Sequence, residues 1–379
     1  MIGFSRSATE SAHPSRRGDS LLESETETCN LLYVINDLEV GGAQVGMSRL
    51  LDGLDEDRYD VTIVTINGSD ETFVDRHVPH RNSILDCKQF TSPRDVFRLV
   101  SAVADADVIV GSLFHSTLAA RLAGVVNRTA VVVTWQHNER FKTTRRKRLF
   151  STTCSMSDAV LADSEPVAAM LRDEFGLANG FVETVPIAGI PLREFERREH
   201  APTDPVIVGS VGVLSDQKNF RTLLTIADEL GADGITFQIA GEGPAYRELA
   251  SRIESSSIEN VELLGYVQDL PQFLNSIDIY IQPSWYEGLC ITVVEAMAAA
   301  LPVVGSSVGG IEHTVSGGEC GHLHSPDDVE GFCRSIRKLA ADPAKRQQLG
   351  DRGRTFVEQN YTQEVLVEEF ERAIQEGST

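Results

Sequence analysis

Short apolar runs alternate with amphipathic stretches along most of this chain. The segments at 31–35, 61–66, 108–110, 131–133 and 159–162 are rich in Val, Ile and Leu, and each gives way to polar or glycine-bearing residues. Runs of that length predict buried strands. A helix is expected from about Ala43 to Leu54, and Ser164, with Pro166 in the first turn, marks the start of another. The charged stretch EFERREHAPTD at 194–204 interrupts the alternation. It resumes with strands at 206–210, 237–240, 261–264, 279–282 and 303–305, and closes with helices near 329–341, 343–359 and 364–375. Val365, Val367, Phe370 and Ile374 are available for one face of the last helix. Strands that alternate with helices build parallel sheets, so the pattern predicts an α/β protein with a repeated architecture.

The segment PSWYEGLCITVVEAMA at 283–298 carries the first chemical signal. Pro283 and Gly288 end the strand before it, and the run from Thr292 reads as a helix. Glu287 therefore falls in a loop at the carboxyl end of a strand, and Glu295 about one turn inside the next helix. Ligands bind at that edge of an open α/β sheet. Free amides at a helix start favour an anion. Two carboxylates would repel a phosphate, so they are expected to face neutral hydroxyls. The combination suits a sugar joined to a diphosphate. Gly288 allows close approach of backbone to ligand, and the amides of Gly288 and Leu289 are placed to hold the diphosphate.

This stretch resembles the Glu-x7-Glu signature of the retaining glycosyltransferases of family 4. The resemblance continues in the family's order through Val208-Gly209-Ser210-Val211-Gly212, Gln217-Lys218-Asn219, Ile239-Ala240-Gly241-Glu242-Gly243-Pro244, Leu264-Gly265-Tyr266-Val267 and Val308-Gly309-Gly310. It implies the GT-B fold, two Rossmann-like α/β domains facing each other across a cleft. The expected boundaries are an N-terminal acceptor domain at 29–198, a linker at 199–204, a nucleotide-sugar donor domain at 205–359 and a helix at 360–379 that returns to the first domain. The polar first 28 residues are read as a disordered tail.

The resemblance also implies roles. Lys218 grips the donor diphosphate, Glu287 faces the hydroxyls of the donor sugar, and Glu295 holds the nucleotide ribose. Gly41-Gly42-Ala43-Gln44 resembles the family's glycine loop, with Gly42 toward the donor phosphate and Gly41 and Gln44 toward the acceptor. His137, in Thr134-Trp135-Gln136-His137-Asn138, is the candidate next to the reacting sugar, and His115 is a weaker acceptor-side candidate. Val267 joins the donor-binding set. Glu287, His137 and Lys218 are the catalytic candidates. The substrates implied are a UDP- or GDP-linked sugar and a saccharide or polyprenyl-diphosphate-linked acceptor, with no cofactor and no metal. Val213 stands where the family often has Arg, which removes a charged hydrogen bond of roughly 1.5–3 kcal/mol.

Composition narrows the alternatives. The net charge is −22 and the pI near 4.8, which argues against nucleic acid as a partner. No apolar run approaches the roughly 20 residues that span a bilayer. The six cysteines lack metal-type spacing and read as reduced thiols of a cytoplasmic protein. Against the acidic background, Arg140, Lys142, Arg145, Arg146, Lys147 and Arg148 form a basic patch, a candidate for peripheral contact with the inner face of a membrane. Asp105 and Asp107 precede a strand, and are rejected as a metal pair. The lack of a first-strand Gly-x-Gly-x-x-Gly, whose spacing Gly41-Gly42 does not have, argues against a dehydrogenase. A sugar-nucleotide-binding scaffold or sensor and a sugar-nucleotide epimerase remain as alternatives to the transferase.

Overall fold

The structure is a computed structural model that describes residues 28–80 and 82–378. The tail expected at the N-terminus lies, apart from Thr28, outside the described residues. Thirteen described strands form two parallel sheets. The first contains β1 (Cys29–Ile35), β2 (Tyr59–Thr65), β3 (Ser83–Asp86), β4 (Val108–Ser112), β5 (Val131–Gln136), β6 (Ala159–Ala162) and β7 (Val182–Thr184), in the order β3-β2-β1-β4-β5-β6-β7. The second contains β8 (Val206–Val211), β9 (Ile235–Ala240), β10 (Val261–Gly265), β11 (Ile279–Gln282), β12 (Val303–Ser306) and β13 (Gly321–His324), in the order β10-β9-β8-β11-β12-β13.

Each sheet starts in its middle, builds to one edge, then returns to fill the other side. The order therefore reverses between β1 and β4, and again between β8 and β11. Such reversals open crevices at the carboxyl ends of the strands. The loops after β1, β4, β8 and β11 carry Gly41-Gly42, Leu113, Lys218 and Glu287. The chain that predicts the strands thus also delivers these residues to the crevices.

Tyr33, Ile63, Val110, Val133 and Leu161 of the first sheet are fully buried. One apolar cluster continues from them through Val185 and Ile187 to Leu289, Ile291 and Met297 of the second lobe. The chain passes between lobes twice, and the passages are tied by the Ile190 amide donating to the Tyr361 carbonyl at 2.7 Å. The helix Pro343–Asn360 packs on the helices Ile291–Ala298 and Val329–Ala340. The helix Gln363–Ser378 instead lies on the first lobe, against the helix Gly42–Gly53 and strands β5 and β6. There Phe370 stacks on Trp135 with ring centroids 5.9 Å apart, and Tyr59 donates to Glu371 at 2.8 Å. Asp107 accepts from the Asn30 backbone and side chain at 2.9 and 3.2 Å, which anchors the start of β1.

Candidate active site

The centre of the site is a buried ion pair. Lys218 Nζ lies 2.8 Å from Glu287 Oε1, with side chains 15% and 7% exposed. Ser284 Oγ donates to the same oxygen at 2.8 Å, and Gln217 Nε2 reaches Oε2 at 3.3 Å. Behind Ser284 the chain of donors continues: Gln282 donates to Ser284 at 2.9 Å, and Tyr280 donates to Gln282 at 3.0 Å. A relay running along β11 thus fixes the carboxylate. Lys218 is held equally firmly. Its turn ends at Asn219, in the left-handed region at φ 56°, which Asn tolerates better than most residues. Asn219 Nδ2 then donates to the Pro283 and Pro326 carbonyls at 2.9 and 3.0 Å, locking the lysine loop to the glutamate loop. Burial disfavours the ammonium, but Cys290, Glu287 and Tyr280 outweigh it, and the Lys218 pKa is raised. Burial and Glu287 push the Cys290 thiol up to about 11.

Glycines bring the two lobes together beside this pair. A Cβ on Gly288 would sit 1.9 Å from the His137 carbonyl oxygen, so this glycine makes room for backbone of the other lobe. Sequence reasoning assigned that space to a ligand. A Cβ on Gly310 would sit 1.8 Å from the Gly288 oxygen. Ser164 occupies the expected helix-start position, yet its hydroxyl makes no cap bond and donates to the Gly288 carbonyl at 2.9 Å. Arg140 lies over the Tyr286 ring at 5.0 Å. Among the described residues, the amides of Gly288 and Leu289 have no backbone acceptor.

The remaining candidates divide into two groups. The His137 side chain is buried with both nitrogens engaged: Nδ1 with Asp163 at 2.8 Å and Nε2 with Ser112 at 2.7 Å. Its backbone carbonyl, rather than its ring, meets the Glu287 loop. Burial, opposed by His137, raises the Asp163 pKa. Gly42 faces Ile291, whose Cδ1 would be 3.7 Å from an added Cβ. Gln44 is buried and donates to Asp37 at 2.7 Å, so it braces the glycine loop from within. His115 is turned to Arg146, 3.4 Å away, and is not joined to the Lys218–Glu287 pair. Val267 is half-buried against the apolar core, and Val213 is 45% exposed.

Glu295 holds a partner that the sequence did not reveal. Its Oε1 lies 2.5 Å from Arg49 Nη2, on the helix Gly42–Gly53 of the other lobe. Arg49 Nη1 also donates to the Ala188 carbonyl at 2.9 Å. Burial raises the Glu295 pKa, with Arg49 and Lys218 acting against it. Arg49, Asp163, Ser112 and Ser284 carry no spacing signal of their own; only the fold brings them to the site.

Two doubly wound lobes, with a buried ammonium–carboxylate pair where their strand ends meet, define a GT-B glycosyltransferase fold. Residues 40–188 match the family model described as Glycosyltransferase Family 4, and residues 193–356 match the one described as Glycosyl transferases group 1. The chain belongs to the family-4 type of GT-B glycosyltransferases. It is 23% identical over 220 residues to the lipopolysaccharide core biosynthesis glycosyltransferase LpsE of Rhizobium meliloti, covering 56% of this chain and 63% of that protein. It is 25% identical over 357 residues to an uncharacterized glycosyltransferase of Haemophilus influenzae, covering 89% and 97%. The chain spans only about half to two thirds of the length of the first curated relatives it matches, from 63% down to 49%. Among solved structures, Anabaena HepE in complex with UDP and glucose superposes with a TM-score of 0.78 at 18% identity, over 90% of this chain and 97% of that one. WaaG, described as a glycosyltransferase involved in lipopolysaccharide biosynthesis, gives 0.69 at 14% identity, over 89% and 98%.

Proposed function

We propose that this chain is a retaining hexosyltransferase that moves a sugar from a UDP- or GDP-linked donor to a saccharide or polyprenyl-diphosphate-linked acceptor in surface polysaccharide or glycoconjugate synthesis. The observation that carries the reading is the buried Lys218–Glu287 pair beside the amides of Gly288 and Leu289. Breaking the bond between the sugar and diphosphate leaves negative charge on the departing phosphate, which fixed positive charge and amides stabilise. Lys218 supplies that charge in this reading, so the reaction is assigned no metal. Glu287 faces sugar hydroxyls and Glu295 the ribose. The acceptor hydroxyl attacks the face from which the diphosphate leaves, and the leaving phosphate takes its proton. HepE is described with UDP and glucose, which supports a uridine donor, and the names of LpsE and the capsular polysaccharide glycosyltransferase CapM support a glycan acceptor.

Peripheral membrane contact belongs to the same reading. The basic patch is partly spent on neighbours: Arg140 on Tyr286, Arg146 on Phe114, and Lys147 on Glu174 at 2.5 Å. Arg145 and Arg148 stay exposed, next to Leu149 at 44%. The adjoining helix Phe114–Val126 exposes Leu122, Val125 and Val126, and its neighbour Pro93–Asp105 exposes Val96, Phe97 and Val100. Neither the helix Thr144–Thr153 nor the helix Phe114–Val126 contains Asp or Glu, in a chain of net charge −22. Among the described residues no helix is long and apolar enough to cross a membrane.

A thermal-shift screen of UDP- and GDP-sugars, followed by mass spectrometry of acceptor mixtures with the stabilising donor, tests the activity. A product heavier than an acceptor by one sugar residue supports it. Donor isomerised without change of mass would favour the epimerase, and binding without transfer the scaffold or sensor. Sedimentation with anionic but not zwitterionic vesicles, lost in Arg145→Glu/Arg148→Glu, tests the membrane contact.

A further inference from the structure

Arg49 lies outside every motif above, yet it makes a side-chain ion pair between the helix of the glycine loop and the helix that follows the Glu287 loop. Val45 and Arg49 are half-buried on a face of the helix Gly42–Gly53 that also carries Gly42, next to Ile291, and Gly46, against Ile187. The guanidinium is oriented from two directions, and the backbone of Arg49 is held from a third. It pairs with Glu295 Oε1 at 2.5 Å and donates to the Ala188 carbonyl at 2.9 Å, while the Arg49 backbone carbonyl accepts from Gln363 Nε2 at 2.7 Å. Glu295 is 2% exposed, so its charge depends on that partner. Among the described residues only Oε1 of Glu295 is engaged, and Oε2 makes no hydrogen bond.

We propose that Arg49 is a positioning residue for the nucleotide donor: it orients Glu295 through Oε1 and leaves Oε2 to accept from a ribose hydroxyl. This rests on the reading of Glu295 given under Proposed function. Because Arg49 belongs to the first lobe and Glu295 to the second, the ribose contact is complete only when the lobes meet. Recognition of the nucleotide and closure of the lobes are then one event, and the sugar is committed only in the closed form. Arg suits the task better than Lys, since its planar fork serves the carboxylate and the Ala188 carbonyl together.

The groups facing Glu295 are Arg49, from the first lobe, and Lys218, from the loop after β8; burial raises its pKa and both cations oppose the rise. Removing Arg49 leaves burial opposed by Lys218 alone. A hydroxyl donor requires the carboxylate form, so ribose recognition in Arg49→Ala should fade at a higher pH than in the wild type as the pH falls.

The test is calorimetric. The affinities of UDP, GDP and their 2′,3′-dideoxy analogues are measured for the wild type, Arg49→Ala, Arg49→Lys and Glu295→Gln, with melting temperatures as a check on folding. The wild type should prefer the ribonucleotide by about tenfold or more, the worth of one charge-assisted hydrogen bond. Arg49→Ala and Glu295→Gln should each reduce the preference to about twofold or less, and Arg49→Lys should restore part of it. Full ribose preference in folded Arg49→Ala, with loss in Glu295→Gln, overturns the positioning role while Glu295 keeps its own. Full preference in Glu295→Gln overturns the ribose reading itself, and binding of neither nucleotide overturns the donor reading. If Arg49→Ala fails to fold, Arg49→Lys decides: the full wild-type ribose preference with an unchanged pH profile refutes the positioning role of the guanidinium.

Discussion

Replacing Lys218 with methionine keeps the stem and removes the charge. The loss can be worked from the geometry. Glu287, with its side chain 7% exposed, would keep the Ser284 and Gln217 donors but lose the cation at 2.8 Å. Stranding one member of a buried pair costs about 3–5 kcal/mol. Domains have roughly 5–15 kcal/mol in hand, so Lys218→Met should fold but melt earlier. Glu287→Gln in the same chain removes the stranded charge, so the double variant should be more stable than Lys218→Met alone. Transfer should behave oppositely, with Lys218→Met and the double variant both falling about a hundredfold or more. Denaturant midpoints and initial rates of transfer measure the two effects. If the destabilisations of the single variants simply add in the double, the pair is not coupled as described. If Lys218→Met transfers sugar at the wild-type rate, its assignment to the diphosphate is wrong.

Gly288→Ala would force a Cβ to 1.9 Å from the His137 oxygen, so the lobes must part by about an ångström, enough to cost about a hundredfold in turnover. The strain is steric and not a matter of φ, and because the atom met is backbone the melting temperature should fall as well; unimpaired turnover would show that the His137 contact is dispensable. Val213→Arg, at a site 45% exposed, should tighten UDP binding by about tenfold in calorimetry, and an unchanged affinity would mean that the position no longer faces the phosphate. Burial lowers the His200 pKa below its ordinary 6.5, against the bond from its ring to the Ala300 carbonyl. A depressed histidine contributes stability above its unfolded value, and that stability is lost as the pH falls below about 6.5. His200→Gln should therefore flatten the loss of stability between about pH 7.5 and 5.5 seen in denaturant titrations, and an unaltered slope would count against it.

The sequence pattern revealed the central strands and missed three at the margins. β3, β7 and β13 are each the last strand of a sheet. Their sequences, SILD, VET and GHLH, are short and carry polar residues on one or both faces. A central strand must be apolar on both faces because helices cover both. An outer strand is free of that demand, so its composition merges with the neighbouring loops. The same reasoning explains the helix Pro93–Asp105, which has no fully buried residue although Val96, Phe97, Leu99, Val100 and Val103 mark it as amphipathic.

The site was legible to the extent that its parts share a segment or a motif. Glu287, Gly288 and Glu295 lie within nine residues, so spacing and the strand-to-helix transition place them together. Lys218 entered through its motif, and the loop carrying Asn219 supplies the physical link to Pro283. Contacts between lobes have no such signal. Arg49 and Glu295 are 246 residues apart, and nothing in either local sequence requires the other. Gly288 shows how the two levels combine. Its lack of a side chain was readable as room for something to approach, but the identity of that something, the His137 backbone, is set by how the lobes meet. A residue chosen for closeness to backbone from the opposite lobe is also a sensor of whether that lobe has arrived. The amides that would hold a diphosphate and the surface that stops the lobes therefore lie on the same short stretch around Gly288, and substitution there should disturb donor binding and closure together rather than one at a time.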